Sequence, residues 1–63
     1  MRLRELREEK GLAQGQLAQI MGVNQRTISK YELGTSEPDI ATIKKFCEFF
    51  KVTIDYFLNF RVD

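Results

Sequence analysis

Glycines at positions 11, 22 and 34 cut the first half of this chain into short stretches, and within them apolar residues recur at the spacing of one helical face. Glycine readily takes the left-handed conformation that ends a helix, so each of the three reads as a stop. No run of alternating β-branched residues is long enough for a strand. The chain is therefore expected to be all-α, a compact bundle of short helices joined by tight turns.

Five helices follow from the punctuation. Met1 to Lys10 carries Leu3 and Leu6 at helical spacing and ends in a basic last turn before Gly11. Gln14 to Met21 places Leu17, Ala18 and Met21 on one face and stops at Gly22. Asn24 is a good N-cap for a third helix, Gln25 to about Leu33, with Ile28 and either Tyr31 or Glu32 inward, closed by Gly34. Pro38 and Asp39 open a fourth, which runs to Phe50 with Ile40, Ile43, Phe46, Cys47 and Phe50 in register. Thr53 can cap a fifth, Ile54 to about Asn59, presenting Ile54, Phe57 and Leu58 inward. The expected core is Leu6, Leu17, Met21, Val23, Ile28, Tyr31, Ile43, Phe46, Phe50, Val52, Ile54, Phe57 and Leu58.

A chain of 63 residues makes one domain, residues 1–63, and a domain of that size buries only about 60% of its unfolded surface. With no histidine and one cysteine, it lacks the commonest general base and metal ligand and cannot close an internal disulfide. Nothing pairs a nucleophile with a base, clusters metal ligands or cradles a phosphate in a glycine loop. No enzymatic activity, cofactor, metal or small-molecule ligand is expected. No apolar run approaches the roughly 20 residues of a membrane span, and the opening MRLRELREEK is too charged for a secretory signal. The expected location is the cytoplasm.

The net charge of +1 says nothing about partners, but its distribution does. Gly11 to Tyr31 contains no Asp or Glu, while Arg26 and Lys30 lie inside it, so a polyanion approaching there meets little local repulsion. Within this stretch, QLAQIMGVNQRTISKYE joins two short helices through Gly22-Val23-Asn24. Gly22 supplies the positive φ for a sharp reversal, Val23 plugs the space between the helices, and Ala18 lets them approach closely. With Ile28 anchored inward, Gln25, Arg26, Thr27, Ser29 and Lys30 stay outside. A helix carrying such a face fits the major groove, where its N-terminal residues reach base edges.

The chain resembles the Cro and phage-repressor type (XRE-like, lambda-repressor-like) helix-turn-helix domain over nearly its whole length, through LREEKGL, LAQIMGV, TISKYELG, EPD and VTIDYFL in order. The resemblance implies about five helices, with helices 2 and 3 forming the helix-turn-helix, and sequence-specific binding of double-stranded DNA by a transcriptional regulator, expected to be a repressor. By matching position, Gln25, Arg26, Ser29 and Lys30 would read bases, Arg26 alternatively holding a phosphate. Gln14, Asn24, Thr27, Thr35 and Ser36 would meet the DNA backbone, with Gln14 also buttressing Gln25. Arg7 and Glu32 match an ion pair that ties helix 1 to the recognition helix. Beside this, Arg2 and Arg4 alternate with acids and read as an ordinary exposed face, and Lys44 and Lys45 as solvated. Phe49, Tyr56 and Phe60 are additional to the inward stripe. With Leu58 they are expected to form a homodimer contact through helix 5 and the tail, suited to a palindromic operator.

Three positions depart from the family pattern. Ala13 stands where a polar cap is usual, costing roughly 1 kcal/mol. Gly15 adds up to about 1 kcal/mol in the first turn of helix 2. Leu33 replaces a frequent polar contact to DNA backbone. These departures support an alternative function, a protein-interaction module of the same fold with weak or no DNA binding.

Overall fold

The computed structural model describes residues 1–58. It contains five helices: α1 (Leu3–Glu9), α2 (Gln14–Met21), α3 (Gln25–Leu33), α4 (Ile40–Phe50) and α5 (Ile54–Leu58). Among the described residues there is no strand, and no helix is long and apolar enough to cross a membrane. The expected extension of α5 to Asn59 lies outside the described residues.

The helix ends follow local chemistry. Asn24 Oδ1 accepts the Arg26 amide at 2.7 Å to start α3, and Asp39 Oδ1 accepts the Thr42 amide at 2.9 Å to start α4. Asp39 is thus the cap rather than the first helical residue. The Thr53 hydroxyl accepts the Tyr56 amide at 3.1 Å at the head of α5. Ala13 offers α2 no side-chain acceptor, but Gln16 Oε1 accepts the Ala13 amide at 2.7 Å. That is half of a reciprocal capping box, and it partly replaces the missing polar cap. Gly22 (φ +75°) and Gly34 (φ +82°) end α2 and α3 in the left-handed region. Lys51 ends α4 in the same region at φ +59°, without the freedom of glycine.

Leu3, Leu17, Ile28, Phe46 and Phe57 are fully buried, and Leu6, Ala18, Ile43, Cys47 and Phe50 complete the core. Phe46 lies at its centre, with its ring centroid 5.7 Å from Phe57, 6.1 Å from Tyr31 and 6.4 Å from Phe50. Burying each such large side chain stabilises the fold by about 1.5–3 kcal/mol. Met21, Val23, Tyr31 and Val52 pack against this cluster from its edge.

The core differs from expectation at both ends of the chain. Leu3 is buried, whereas Ile54 and Leu58, expected inward, are each 40% exposed. A five-residue helix turns too few side chains toward one neighbour for three to be buried, and Phe57 takes the inward position. Helix 1 is also less ordinary than its charge alternation suggests. The Arg2 amide donates to Phe57 O at 2.9 Å, and its Nε donates to Tyr56 O at 3.1 Å. The guanidinium lies 4.6 Å from the centroid of the Tyr56 ring. Arg2 thus supplies donors to the carbonyls at the end of α5 and fastens that helix to α1. Arg4 is engaged as well, with Glu32.

Candidate nucleic-acid interface

Between α2 and α3 the chain reverses through Gly22, whose amide donates to Gln19 O, and Val23, whose amide donates to Ala18 O at 2.9 Å. Satisfying the last α2 carbonyls within the turn lets the next helix begin at once. Ala18 is buried under this reversal and Ile28 pins α3 to the core. On the opposite face Gln25, Arg26 and Lys30 are exposed, and Thr27 and Ser29 are half-buried. Gln14, Asn24, Gln25, Arg26 and Ser29 surround a shallow notch where the first turns of α2 and α3 meet.

The tilt of α3 is held from behind by Glu32, whose side chain has no solvent exposure. Its Oε2 accepts Arg7 Nε at 2.6 Å, while its Oε1 accepts Arg7 Nη2 at 3.2 Å, Gln14 Nε2 at 3.0 Å and Arg4 Nε at 3.4 Å. Arg7 Nη1 donates to Leu12 O at 2.7 Å. Burial pushes the Glu32 carboxyl pKa up. The hydrogen bonds from Arg7 and Gln14, the Arg7 charge and the Arg4 contact outweigh it, so the net shift is below the ordinary carboxylate value. The hydrogen bond to Glu32 correspondingly raises the Arg7 pKa against the opposing effect of burial. One carboxylate therefore joins α1, α2 and α3, and its charge is hidden from the face that carries Arg26 and Lys30.

Other expected site residues take distinct places. Gln14 is half-buried with its amide on Glu32, and among the described residues no hydrogen bond joins it to Gln25. Thr35 donates its amide and its hydroxyl to Lys30 O, at 3.0 and 3.4 Å, and so caps the end of α3. Ser36 is half-buried beside a groove formed by Met1, Tyr31, Leu33, Pro38 and Leu58. Phe49 lines a different depression with Ile20, Met21, Lys45 and Glu48, under the Lys10 ammonium at 5.5 Å. The structure therefore does not gather Phe49 and Leu58 into one groove, and Phe60 lies outside the described residues. Burial raises the Cys47 thiol pKa, as expected for a packed, unreactive side chain.

Sequence reasoning missed three contributors: Arg4 as a partner of Glu32, Arg2 as the fastener of α5, and Gly15. A Cβ built on Gly15 would lie 3.4 Å from Gln25 Oε1, so the Gln25 amide occupies the space a longer side chain at position 15 would enter. All three are contacts between elements and leave no periodic trace.

A profile of the helix-turn-helix family matches residues 3–57. The chain is 35% identical over 58 residues to the SPbeta prophage-derived HTH-type transcriptional regulator YonR of Bacillus subtilis, covering 92% of this chain and 54% of YonR. It is 41% identical over 58 residues to the HTH-type transcriptional activator BcrR of Enterococcus faecalis, covering 92% and 28%. Against the cryptic phage CTXphi transcriptional repressor RstR of Vibrio cholerae it is 38% identical over 53 residues, covering 84% and 48%. The chain thus spans about half or less of the length of these relatives. No solved structure matches it. On the five-helix fold, the α2–turn–α3 geometry and the profile match, the chain belongs to the XRE-like helix-turn-helix family.

Proposed function

We propose that this chain binds double-stranded DNA sequence-specifically and regulates transcription, with α3 lying in the major groove. The observation that carries the reading is the outward face of α3, polar and free of acid, backed by buried Ile28 and by the Glu32 network. The first turns of α2 and α3 contain no acid, so the positive ends of both helix dipoles remain available to phosphate. Gln25, Arg26, Ser29 and Lys30 would contact bases. Gln14, Asn24, Thr27, Thr35 and Ser36 would contact backbone, and for this Thr35 would have to swing its hydroxyl away from the Lys30 carbonyl.

The proposed assembly is a homodimer on a palindromic operator, spacing two α3 helices about 34 Å apart. Tyr56 and Leu58, 42% and 40% exposed, support a contact through α5, with Phe60 as its further expected member, while Phe49 lines a separate depression. Repression by occlusion of a promoter, in a bacterial or phage-encoded cytoplasmic protein that joins the nucleoid when bound, completes the reading. RstR is named a repressor and BcrR an activator, so the sign of regulation is part of the proposal.

Selection from random duplexes followed by a salt titration tests it. A palindromic enriched site and a steep salt slope are expected. Gln25→Ala with Arg26→Ala should abolish that binding while circular dichroism stays unchanged, whereas a pool without enrichment refutes the reading. Sedimentation as a monomer at micromolar concentration with the selected duplex absent would rule out a stable dimer. The interaction-module reading is favoured by one observation: Leu33 is 67% exposed on a groove that Met1, Tyr31, Pro38 and Leu58 line together with Ser36 and Glu37. On that reading a protein partner survives the Gln25 and Arg26 replacements.

A further inference from the structure

Gly15 stands in the first turn of α2, where helix propensity alone favours nearly any other residue. Its φ is not positive, so no turn requires glycine there. What the position does is make room. The built Cβ would lie 3.4 Å from Gln25 Oε1 and 3.9 Å from Gln25 Cδ, and no other residue outside its own helix turn comes within 4 Å. Gln25 is an exposed residue, and its amide lies at ordinary contact distance from the place a Cβ at position 15 would take. The neighbouring polar groups are engaged elsewhere: Gln14 Nε2 donates to Glu32, and Asn24 Oδ1 accepts the Arg26 amide.

We infer that Gly15 is a positioning residue that seats the Gln25 side chain and thereby sets base preference at the step Gln25 reads. This rests on the DNA-binding reading above. A free glutamine samples many rotamers, and only a few present its amide squarely to a base edge. A long side chain at position 15 would exclude the conformer seen here, and Gly15 keeps that conformer open before DNA arrives. A methyl at position 15 meets Gln25 Oε1 at ordinary contact distance and preserves the seat. A side chain extending beyond Cβ competes for the space that the amide occupies.

The test uses Gly15→Ala, Gly15→Val and Gly15→Gln beside Gln25→Ala. Valine matches glycine or better in helix propensity, and glutamine exceeds it, so all three variants at position 15 are expected to fold. In the free protein, a nuclear Overhauser contact is expected between the Gln25 side chain and the Gly15 α-protons. It should persist to the new methyl group in Gly15→Ala and vanish in the two larger variants. In duplex selection, Gly15→Ala should keep the parent preferences. Gly15→Val and Gly15→Gln should lose preference, on the order of tenfold, only at positions that Gln25→Ala also alters, with the salt slope and melting temperature retained. Parent preferences in both larger variants, a uniform loss at every position, or no contact between residues 15 and 25 in the parent protein would each overturn the inference. If the parent protein enriches no duplex, the DNA reading fails and base preference with it, while the nuclear Overhauser contact still reports separately on the seat.

Discussion

Removing the acid at the centre of the Glu32 network should destabilise the domain far more than removing the whole ion pair. Glu32→Ala deletes an acceptor used by Arg7, Gln14 and Arg4 and strands the Arg7 guanidinium, whose side chain is only 11% exposed. Breaking a buried pair from one side costs about 3–5 kcal/mol. The exposed position of Arg4 leaves a path for water, which favours the lower end, about 3 kcal/mol. At about 0.05–0.15 kcal/mol per residue, a 63-residue chain has only about 3–9 kcal/mol of stability in total. A loss of about 3 kcal/mol in Glu32→Ala therefore removes a third or more of the domain's stability. Arg7→Met combined with Glu32→Leu replaces both charges by apolar groups of similar volume and should remain within about 1 kcal/mol of the parent. Urea unfolding followed by circular dichroism at pH 7 measures all three proteins, with the m-value checking that the unfolded states are comparable. A loss below about 1 kcal/mol in Glu32→Ala, or a double variant as unstable as the single one, would refute the account.

Four further outcomes are expected. Because the Glu32 pKa is lowered on folding, its contribution is fully present above the unfolded carboxylate value. It is lost as pH falls through the depressed folded value, so urea midpoints should drop in acid, and Glu32→Gln should flatten that limb. Arg2→Met keeps the aliphatic stem but loses the donors to α5 and the contact with Tyr56; it should cost about 1 kcal/mol in urea unfolding and speed hydrogen exchange in α5. Lys51→Gly relieves a left-handed lysine at the end of α4, offset by the greater entropy of glycine in the unfolded chain, and should raise stability by up to about 1 kcal/mol in a thermal melt. Cys47, buried with a raised thiol pKa, should react with a thiol reagent only as fast as the domain opens, and full-speed labelling of the folded protein would contradict its burial.

The departures at Ala13 and Gly15 show how local rules and tertiary contacts divide the work. Counted within α2 alone, both residues weaken the helix start. In the structure Gln16 covers the Ala13 amide, Gln14 ties the same turn to Glu32, and Gly15 receives Gln25. The Arg7–Glu32 pair was legible through the family resemblance, but its sharing with Gln14 and Arg4 was not. Those side chains come from residues 4, 7, 14 and 32, and no spacing rule links them.

Glycine stops, capping residues and the helical repeat of apolar side chains determine the five helices, the turn at Gly22 and the outward polar face of α3, because these depend on interactions a few residues long. Only the assembled tertiary structure decides that Phe57 rather than Ile54 or Leu58 enters the core, that Arg2 fastens α5, and that Glu32 serves three helices. Those outcomes depend on which surfaces meet when the helices pack, and residues far apart in the chain compete for the same buried volume and the same hydrogen-bonding groups.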